Sequence, residues 1–498
     1  MKNTNLESKV IFTVLILWSC SVYGEVTNDL NVADAIKHAI ELAEKIDGSK
    51  SEYEYQKIKI LKDIAITQAA AGDRIGSKNL FAEAVSFVKN EKFYSWMEKF
   101  KEQGRVARPP HLQLPNDEER NRNIAIAKID RLREIAVAQV KVGFKPEAKE
   151  TFELGLELTN LIPNDFSSGG RAYVLTRIAA AQAESGEKEW AQNTIQKTLQ
   201  AVESANLSPG DPLAFRIFIK MSLIGIQLQI GDRTAAASAI REANEIIPKI
   251  KDPKSRAFAL RDLAMAQARF GDRQGAITTI KNMIETRQTI QEEDPSRIDM
   301  FNFNDVAHVA ESSAESGHRE DAEYIIDLDI RMMQSPRVQE EAKSPAWRII
   351  GEVRARLDDV PGALEAEKQM TAAVYRGTLA PAIAEAKIRA GDFEGARQIA
   401  NKEVHPDTLL KDIAIAQIKR GDVQGAQQTV ESICCKTPGA LISRAEAFRA
   451  IAAARIVKGE RKSLFEWAED KSSPEEKIYS YLGIADGMLL LRASNKID

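Results

Sequence analysis

Basic side chains recur in pairs, eight residues apart, at three places in the chain. The pairs are Arg261 with Arg269, Arg348 with Arg356, and Lys411 with Lys419. Eight residues is slightly more than two turns of an α-helix, so one helix would present both members of a pair on a single face. Guanidinium groups bind carboxylates through paired hydrogen bonds, and such cations mainly set association rate and selectivity. The pattern therefore predicts a surface for an acidic segment or a carboxylate terminus of a partner protein.

Acidic neighbours support a second interpretation of the same residues. Asp262, Asp412 and Glu134 each directly follow a basic residue. Neighbours of this kind can neutralise the cations and leave an ordinary solvated face. The sequence alone leaves both interpretations open. The net charge of the whole chain is −4, which predicts no bulk attraction to nucleic acid.

Residue types that commonly carry catalysis or bind metals show no recognisable spacing. The five histidines are dispersed at positions 38, 111, 308, 318 and 405. The sequence contains no Gly-rich phosphate loop, no serine nucleophile elbow and no Cys-His pairing at a known spacing. Cys434 and Cys435 are adjacent, which predicts two half-buried thiols or, alternatively, a vicinal disulfide. We therefore expect neither an enzyme nor a bound metal or cofactor.

The basic pairs lie within a repeated sequence pattern. Each repeat has a helix rich in small residues, a Gly turn usually followed by Asp, and an Ala five residues after the Gly. The turn residues are Gly72, Gly143, Gly186, Gly231, Gly271, Gly317, Asp358 in place of Gly, Gly391, Gly421 and Gly459. The first interval, of 71 residues, implies an insertion; the others are 30 to 46 residues, the length of a helix hairpin. The sequence thus predicts helix A, a tight turn and helix B in every repeat.

Small residues occupy two fixed positions around each turn. A small residue lies seven positions before the turn in nine of the ten repeats, and Ala lies five positions after it in eight. If these residues face each other, the paired helices can approach closely. The Asp that follows the Gly can cap helix B.

A recurrent Gln lies four positions before the turn. It is present in six repeats, at Gln68, Gln139, Gln182, Gln227, Gln267 and Gln417. These side chains are interpreted either as a polar binding ladder or as structural hydrogen-bonding groups, and the residue type favours the structural role.

The spacing of a large aliphatic residue, a small residue, Gly seven residues later and Ala five residues after that resembles the tetratricopeptide repeat over residues 57–490. The chain departs from the family pattern because Gln replaces the usual Tyr and the Pro that closes helix B is mostly missing. The resemblance implies an all-α fold, a right-handed α-solenoid of about ten helix-turn-helix repeats that forms a superhelix.

In the family, helix A lines a concave groove, and the positions ten and two residues before the turn Gly lie on its inner face. The resemblance therefore implies a basic partner-binding groove. Its predicted residues are Arg261, Arg269, Arg348, Arg356, Arg389, Lys411, Lys419 and Arg449.

The N-terminus differs from the rest of the chain. Lys2 and Lys9 precede an apolar run from residue 10 to residue 18, too short to span a bilayer but typical of a secretory signal. We expect cleavage near Gly24; the alternatives are lipidation of Cys20, which would associate the protein with a membrane, and an uncleaved anchor. The expected location is the periplasm, with or without a lipoprotein anchor, or the extracellular medium.

The predicted organisation has four parts. Residues 1–24 form the signal peptide, residues 25–56 an N-terminal capping helix centred on 32–46, residues 57–490 the repeat solenoid with an insertion at about 90–120, and residues 491–498 a tail. The stretch from residue 478 to residue 491 is expected to be a lone final helix with a solvated outer face.

These features predict an exported scaffold or adaptor that binds a protein or an acidic peptide segment in its groove. The alternative is a helical-toroid carrier or enzyme that acts on an anionic or polysaccharide substrate. A third hypothesis is a structural repeat protein with no dedicated groove. The oligomeric state does not follow from the sequence.

Overall fold

The fold is built from α-helices. The computed structural model describes residues 31–46, 54–89, 117–164, 170–205, 212–293, 301–334, 340–371, 377–403, 406–434, 437–460 and 462–494. These ranges contain 22 α-helices, and no strand occurs within them. The predicted all-α helical-repeat class is therefore confirmed.

Several predicted features lie outside the described residues. They are the signal peptide with Cys20, most of the insertion at about 90–120, His111, His405, Cys435 and the last four residues.

The chain divides into two compact bodies. The central body comprises Leu156–Ala386, and the terminal body comprises Lys2–Gly155 together with Lys387–Asp498. Each body is described on its own below. Helices with even numbers from α2 to α20 are the A helices of the ten repeats, and helices with odd numbers from α3 to α21 are the B helices.

The central body contains five complete hairpins. Its helices are α6 (Arg171–Glu184), α7 (Lys188–Glu203), α8 (Pro212–Ile230), α9 (Arg233–Ile246), α10 (Pro253–Phe270), α11 (Arg273–Glu293), α12 (Phe301–Glu315), α13 (Arg319–Met333), α14 (Glu340–Arg356), α15 (Val360–Gln369) and most of α16 (Ala380–Ala390). The A helices from α6 to α14 pack side by side in sequence order, and α7, α9, α11 and α13 each pack on their own A helix and on the next one.

The terminal body combines both ends of the chain. Its helices are α1 (Val32–Glu44), α2 (Glu54–Ala71), α3 (Arg74–Lys89), α4 (Asp117–Lys141), most of α5 (Lys145–Leu158), α17 (Phe393–Ala400), α18 (Asp407–Lys419), α19 (Val423–Glu431), α20 (Pro438–Val457), α21 (Lys462–Glu469) and α22 (Pro474–Ser494).

The turns have the predicted backbone conformation. All nine turn glycines and Asp358 have positive φ angles, between 62° and 94°. This left-handed conformation ends helix A and is accessible to Gly without a Cβ clash. Asp358 is the only described non-Gly residue with positive φ, so its substitution for Gly in the repeat pattern is confirmed.

A hydrogen-bonded clamp surrounds the turn. In the first repeat, the Asp73 carboxylate accepts hydrogen bonds from the backbone N–H of Gly76, at 2.9 Å, and from Nε2 of Gln68, at 3.0 Å. In the ninth repeat, Asp422 bonds Gly425 and Gln417 in the same way. The Thr429 hydroxyl donates a hydrogen bond to Oε1 of Gln417 at 2.8 Å. The structural interpretation is confirmed for Gln68, Gln267 and Gln417. Gln139, Gln182 and Gln227 are also buried, but their Oε1 atoms have no hydrogen-bond partner among the described residues.

The clamp also explains a second Gly that sequence analysis left uninterpreted. Gly76, Gly275, Gly362, Gly395 and Gly425 each lie three residues after the capping Asp. A Cβ at any of them would overlap that Asp carboxylate. Gly at this position gives the Asp carboxylate room against the first turn of helix B, although Asp232 caps α9 over Ala235 with the same 2.9 Å hydrogen bond.

The small residues face each other as predicted. Ala65 and Ser77, seven residues before and five after Gly72, are both fully buried, and the Ser77 hydroxyl donates to the Ala65 carbonyl oxygen at 2.7 Å. A side chain can reach the opposite backbone at this distance only if the two helices nearly touch.

The first and last described helices together form one further hairpin. The terminal A helices α18, α20, α22, α2 and α4 pack consecutively, so α22 occupies an A position between α20 and α2. Helix α1 packs on α22 and on α2, as a B helix packs on its own A helix and the next one. Lys57 of α2 reinforces this arrangement because its buried ammonium donates to the carbonyl oxygens of Ala43 and Ile46, at 2.7 and 3.2 Å.

The expectation of a lone final helix with a solvated face is wrong. Helix α22 is buried on all sides along most of its length, from Glu475 to Leu490. Gly483 and Gly487 allow its close approach to α20, because a Cβ at Gly483 would overlap the Arg449 carbonyl oxygen and one at Gly487 would lie 2.7 Å from that of Ala453. Sequence analysis missed this contact because these residues do not belong to the repeated sequence pattern.

One described helical stretch, Leu213–Ile230 in α8, is long and apolar enough to cross a membrane. It packs on α6, α7, α9 and α10. These contacts are typical of a core helix in a repeat array.

Replacing the turn glycine Gly421 with Ala should lower the free energy of unfolding by about 1–2 kcal/mol, because its φ of 82° is strained for an L-residue. No atom lies within 4 Å of the added Cβ, so the cost is in the backbone alone. The matched control is Gly155→Ala within helix α5, which also has open space and should increase stability by about 0.5–1 kcal/mol. Chemical denaturation measures both, and equal effects would contradict the assignment of strain.

Gly483→Ala tests the contact between α20 and α22. The added methyl group would overlap backbone atoms of α20, so we expect a loss of about 1–3 kcal/mol. Gly439→Ala, in α20 but with open space around the new Cβ, is the control and should not destabilise the protein. An unchanged denaturation midpoint for Gly483→Ala would show that α22 does not pack this closely.

Candidate functional site

The eight predicted groove residues all lie on A helices. Arg261 and Arg269 are in α10, and Arg348 and Arg356 are in α14, all within the central body. The other four belong to the terminal body and are Arg389, Lys411, Lys419 and Arg449. The structure therefore distributes the predicted site equally between the two bodies.

The basic position two residues before the turn lies in the last turn of helix A. Arg269, Arg356, Arg389 and Lys419 all occupy this place. Cations there interact favourably with the partial negative charge of the helix C-terminus. Part of the basic pattern therefore has a structural cause that is independent of any partner.

Arg261, at the position ten residues before the turn, is held by two carboxylates. Its Nη2 atom lies 2.8 Å from Oδ1 of Asp262, and its Nη1 atom lies 3.5 Å from Oδ1 of Asp305 on α12. Burial opposes the charge of Arg261, but the two aspartates outweigh burial and raise its pKa. Arg261 is thus fixed in a half-buried ion-pair network.

Further ion pairs lie on α12 and α14. The charged residues of α10, α12 and α14 that form these contacts are here called the polar face. Arg348 Nη1 lies 2.5 Å from Glu352, and Arg356 contacts Glu315 at 2.9 Å and Glu311 at 3.7 Å. Nδ1 of His308 lies 3.0 Å from Glu311. This hydrogen bond, with the nearby charges of Arg356 and Arg348, lowers the pKa of Glu311 despite partial burial. The central face is therefore a mixed-charge surface.

A second polar network lies across the junction of the chain ends in the terminal body. Lys411 contacts Glu446 at 3.3 Å, and Glu446 also pairs with Lys59 of α2 at 2.5 Å. Lys59 lies 3.5 Å from Asp63, which accepts a hydrogen bond of 2.7 Å from the Tyr479 hydroxyl of α22. Four helices, α18, α20, α2 and α22, are joined by these contacts.

Arg449 forms the other half of this network. Its Nε atom lies 2.6 Å from Asp486 of α22, and its Nη2 atom donates to Thr67 of α2 at 2.9 Å. Burial raises the pKa of Asp63, but Lys59, Arg449 and Lys62 outweigh it and lower that pKa overall. Stability from Asp63 is therefore present above its ordinary pKa and is lost as the pH falls.

Sequence analysis missed a buried ion pair behind the central face. Arg287 of α11 and Asp305 of α12 are each 2–3% exposed, and Arg287 Nη2 bonds the Asp305 carboxylate. In five other described repeats the position of Arg287 is occupied by a buried uncharged residue: Val88, Thr159, Val202, Ile247 and Met333. Alignment of the repeats on the turn Gly would have revealed the charge at a core position.

Within the described part of the chain, no group of three or more His, Cys, Asp or Glu side chains is placed to hold a metal ion. His38 and His318 use Nδ1 to bond backbone carbonyl oxygens, at 2.8 and 2.9 Å. Cys434 is exposed.

Comparisons with known proteins add little to this description. No protein-family model matches the sequence, and no curated protein sequence matches it. Among solved structures, Ton1535 from Thermococcus onnurineus NA1 is 15% identical, with a TM-score of 0.33, and the match covers 74% of this chain and 99% of that one.

Two other similar structures are repeat proteins by their descriptions. A circular tandem repeat protein with novel repeat topology and enhanced subunit contact surfaces is 13% identical, with 94% and 100% coverage and a TM-score of 0.23. The STAND protein PH0952 from Pyrococcus horikoshii, with a tetratricopeptide repeat sensor, is 12% identical, with 94% and 74% coverage and a TM-score of 0.26. These TM-scores are too low for any of the three to define the fold or function of this chain.

Removing Arg449 should weaken the junction between the chain ends. We expect Arg449→Met to lower the free energy of unfolding by about 1–3 kcal/mol, because Asp486 keeps its charge in a partly buried place without its cation. In a double-mutant cycle with Asp486→Asn, the loss in the double variant should be smaller than the sum of the two single losses.

Arg319→Met is the control, since Arg319 forms an exposed pair with Glu323 on α13 and should cost less than about 0.5 kcal/mol. Additive effects of Arg449 and Asp486 would show that their ion pair does not stabilise the junction.

Proposed function

We propose that this protein is an exported, tetratricopeptide-like scaffold that binds a segment of a partner protein on the polar face of its A helices. The proposal rests on one observation above all. In the central body, consecutive A helices present half-buried arginines and carboxylates that already hold each other in place. Preorganised side chains lose little conformational entropy when a partner binds.

The ion pairs refine the chemistry that a partner must have. A carboxylate that approaches Arg348 or Arg356 competes with Glu352, Glu311 or Glu315 for the same guanidinium. Displacement is easiest at Arg356, because its side chain is 43% exposed whereas that of Arg261 is 25% exposed. We therefore propose that an acidic segment binds first at Arg356 and Arg348, and that Arg261 and Arg449 mainly organise the fold.

Export and family membership rest on sequence features. The basic residues and apolar run before Gly24 support a secretory signal, and the spacing of small residues around each turn Gly supports a tetratricopeptide-like family. Lipidation of Cys20 would place the scaffold on a membrane. Acidic and basic groups on one face would make association selective more than tight.

Affinity capture from a cell-envelope extract tests the proposal. The variant Arg348→Gln with Arg356→Gln removes the two cations of the proposed binding site, and it should lose any partner that the unchanged protein retains at low salt. The control variant is Arg319→Gln, which removes an exposed arginine from a B helix and should retain the partner. Circular dichroism of all three proteins checks that they are folded.

The captured partner is then titrated against each purified form at two salt concentrations. We expect at least a roughly tenfold loss of affinity for the double variant and weaker binding of the unchanged protein at higher salt. Equal affinity of the double variant and the control would exclude this face as the binding site. No saturable partner would favour a structural repeat protein without a dedicated groove.

A further inference from the structure

Asp329 is an acidic residue at a core position of the repeat. It lies on α13, twelve residues after the turn Gly317. In six other described repeats the residue in the same register is buried and carries no charge: Ala84, Gly155, Thr198, Ala243, Met283 and Met370. The charged residues Glu403 and Lys471 occupy this register in two further repeats, but neither is fully buried. Asp329 itself is 0% exposed. This repeat therefore buries a carboxyl group at a register that six other repeats fill with a buried uncharged residue.

The carboxyl group of Asp329 lacks the partners that a buried charge needs. Neither of its oxygens has a hydrogen-bond partner among the described residues. Asp305, by contrast, is bonded by Arg287 and by Arg261. Burying an ionised carboxylate without a cation or hydrogen bonds is unfavourable, and this favours the protonated, neutral form of the group.

The surrounding charges do not compensate for the missing partners. On α12, Asp305 is a like charge, and His308 bonds Glu311. The arginines of α11 and α10, Arg287 and Arg261, are bonded to Asp305. Of the charged residues on α14, Arg348 bonds Glu352, and Arg356 bonds Glu311 and Glu315. Burial, reinforced by the charge of Asp305, raises the pKa of Asp329 well above 3.8.

We infer that Asp329 is a buried proton-binding site that makes the stability of the central body depend on pH. In the unfolded chain, Asp329 loses its proton near its ordinary pKa of 3.8. In the folded chain it keeps the proton to a higher pH, so between these two values the folded state binds more protons than the unfolded state. The free energy of unfolding therefore falls as the pH rises through this window.

The site lies directly behind the polar face. Asp305 is the neighbouring charge of Asp329 and also a ligand of Arg261, which belongs to the predicted groove. Ionisation of Asp329 would place a second negative charge beside Asp305. The two carboxylates would repel each other and disturb the ion pairs of Asp305 with Arg287 and Arg261. This inference concerns proton binding and stability, and it holds whether or not the face binds a partner.

Thermal unfolding of the full chain as a function of pH tests the inference. Asp329→Asn keeps the shape of the side chain but cannot ionise. We expect its melting temperature to match that of the unchanged protein near pH 4 and to exceed it by about 2–4 °C near pH 8. Asp327→Asn is the control, because Asp327 is exposed on the same helix, and its difference from the unchanged protein should not vary with pH in this way.

A second variant and an infrared measurement keep the test independent of one substitution. Asp329→Met introduces the residue type of Met283 and Met370 at this register, and it should show the same pH-dependent gain. Above the ordinary pKa of an aspartate, infrared difference spectra should show a carboxylic-acid stretching band in the unchanged protein that both Asp329 variants lack. A pH-independent difference in melting temperature, or no such band in the unchanged protein, would overturn the inference.

Discussion

The close approach of helix A and helix B is the constraint on which the rest of the structure depends. The Ser77 hydroxyl of α3 donates to the Ala65 carbonyl oxygen of α2, so the backbones of these two helices lie close together there. Helices can pack this tightly only if the facing residues are small and the turn reverses the chain at once. The Gly turn and the Asp clamp supply that reversal. Because each hairpin is narrow, the next one can cover its apolar side, and the bodies are built by repetition of this contact.

The same packing rule explains how the first and last described helices pack together. Helix α22 takes an A position and α1 takes the B position beside it, although more than 400 residues separate them along the chain. Gly483 and Gly487 allow the contact between α22 and α20 to be as close as those within the repeats. The polar network of Asp63, Arg449 and Asp486 then joins α2, α20 and α22. Helices α1 and α22 are thus held in place by apolar packing and by charges together.

Charge has two separate roles on the A helices. At the C-terminal turn of α10, α14, α16 and α18, a cation interacts favourably with the helix dipole. Further toward the N-terminus, Arg261, Lys411 and Arg449 are bound by carboxylates of their own or neighbouring helices. The charges of this surface are already paired with one another. A partner can bind there only if its own charged groups compensate for the ion pairs that they displace, and this makes binding selective. The proposed binding function therefore depends on the more exposed arginines, and the buried cluster around Asp305 controls stability.

The sequence by itself determined the local structure. The spacing of Gly, Asp and Ala predicted the helices, their turns and the Asp cap of helix B, because each depends on backbone conformation and on contacts within about 15 residues. Tertiary structure alone decided which charges meet. Arg261 pairs with Asp305, and Arg449 with Asp486, across distances of 44 and 37 residues, and the partnership of α1 with α22 has no local signal at all. Asp329 shows the same division: its residue type and register are visible in the sequence, but only packing shows that its carboxyl group is buried without a partner. Local pattern specifies a repeat, whereas the energies of buried charges depend on neighbours that only the folded chain brings together.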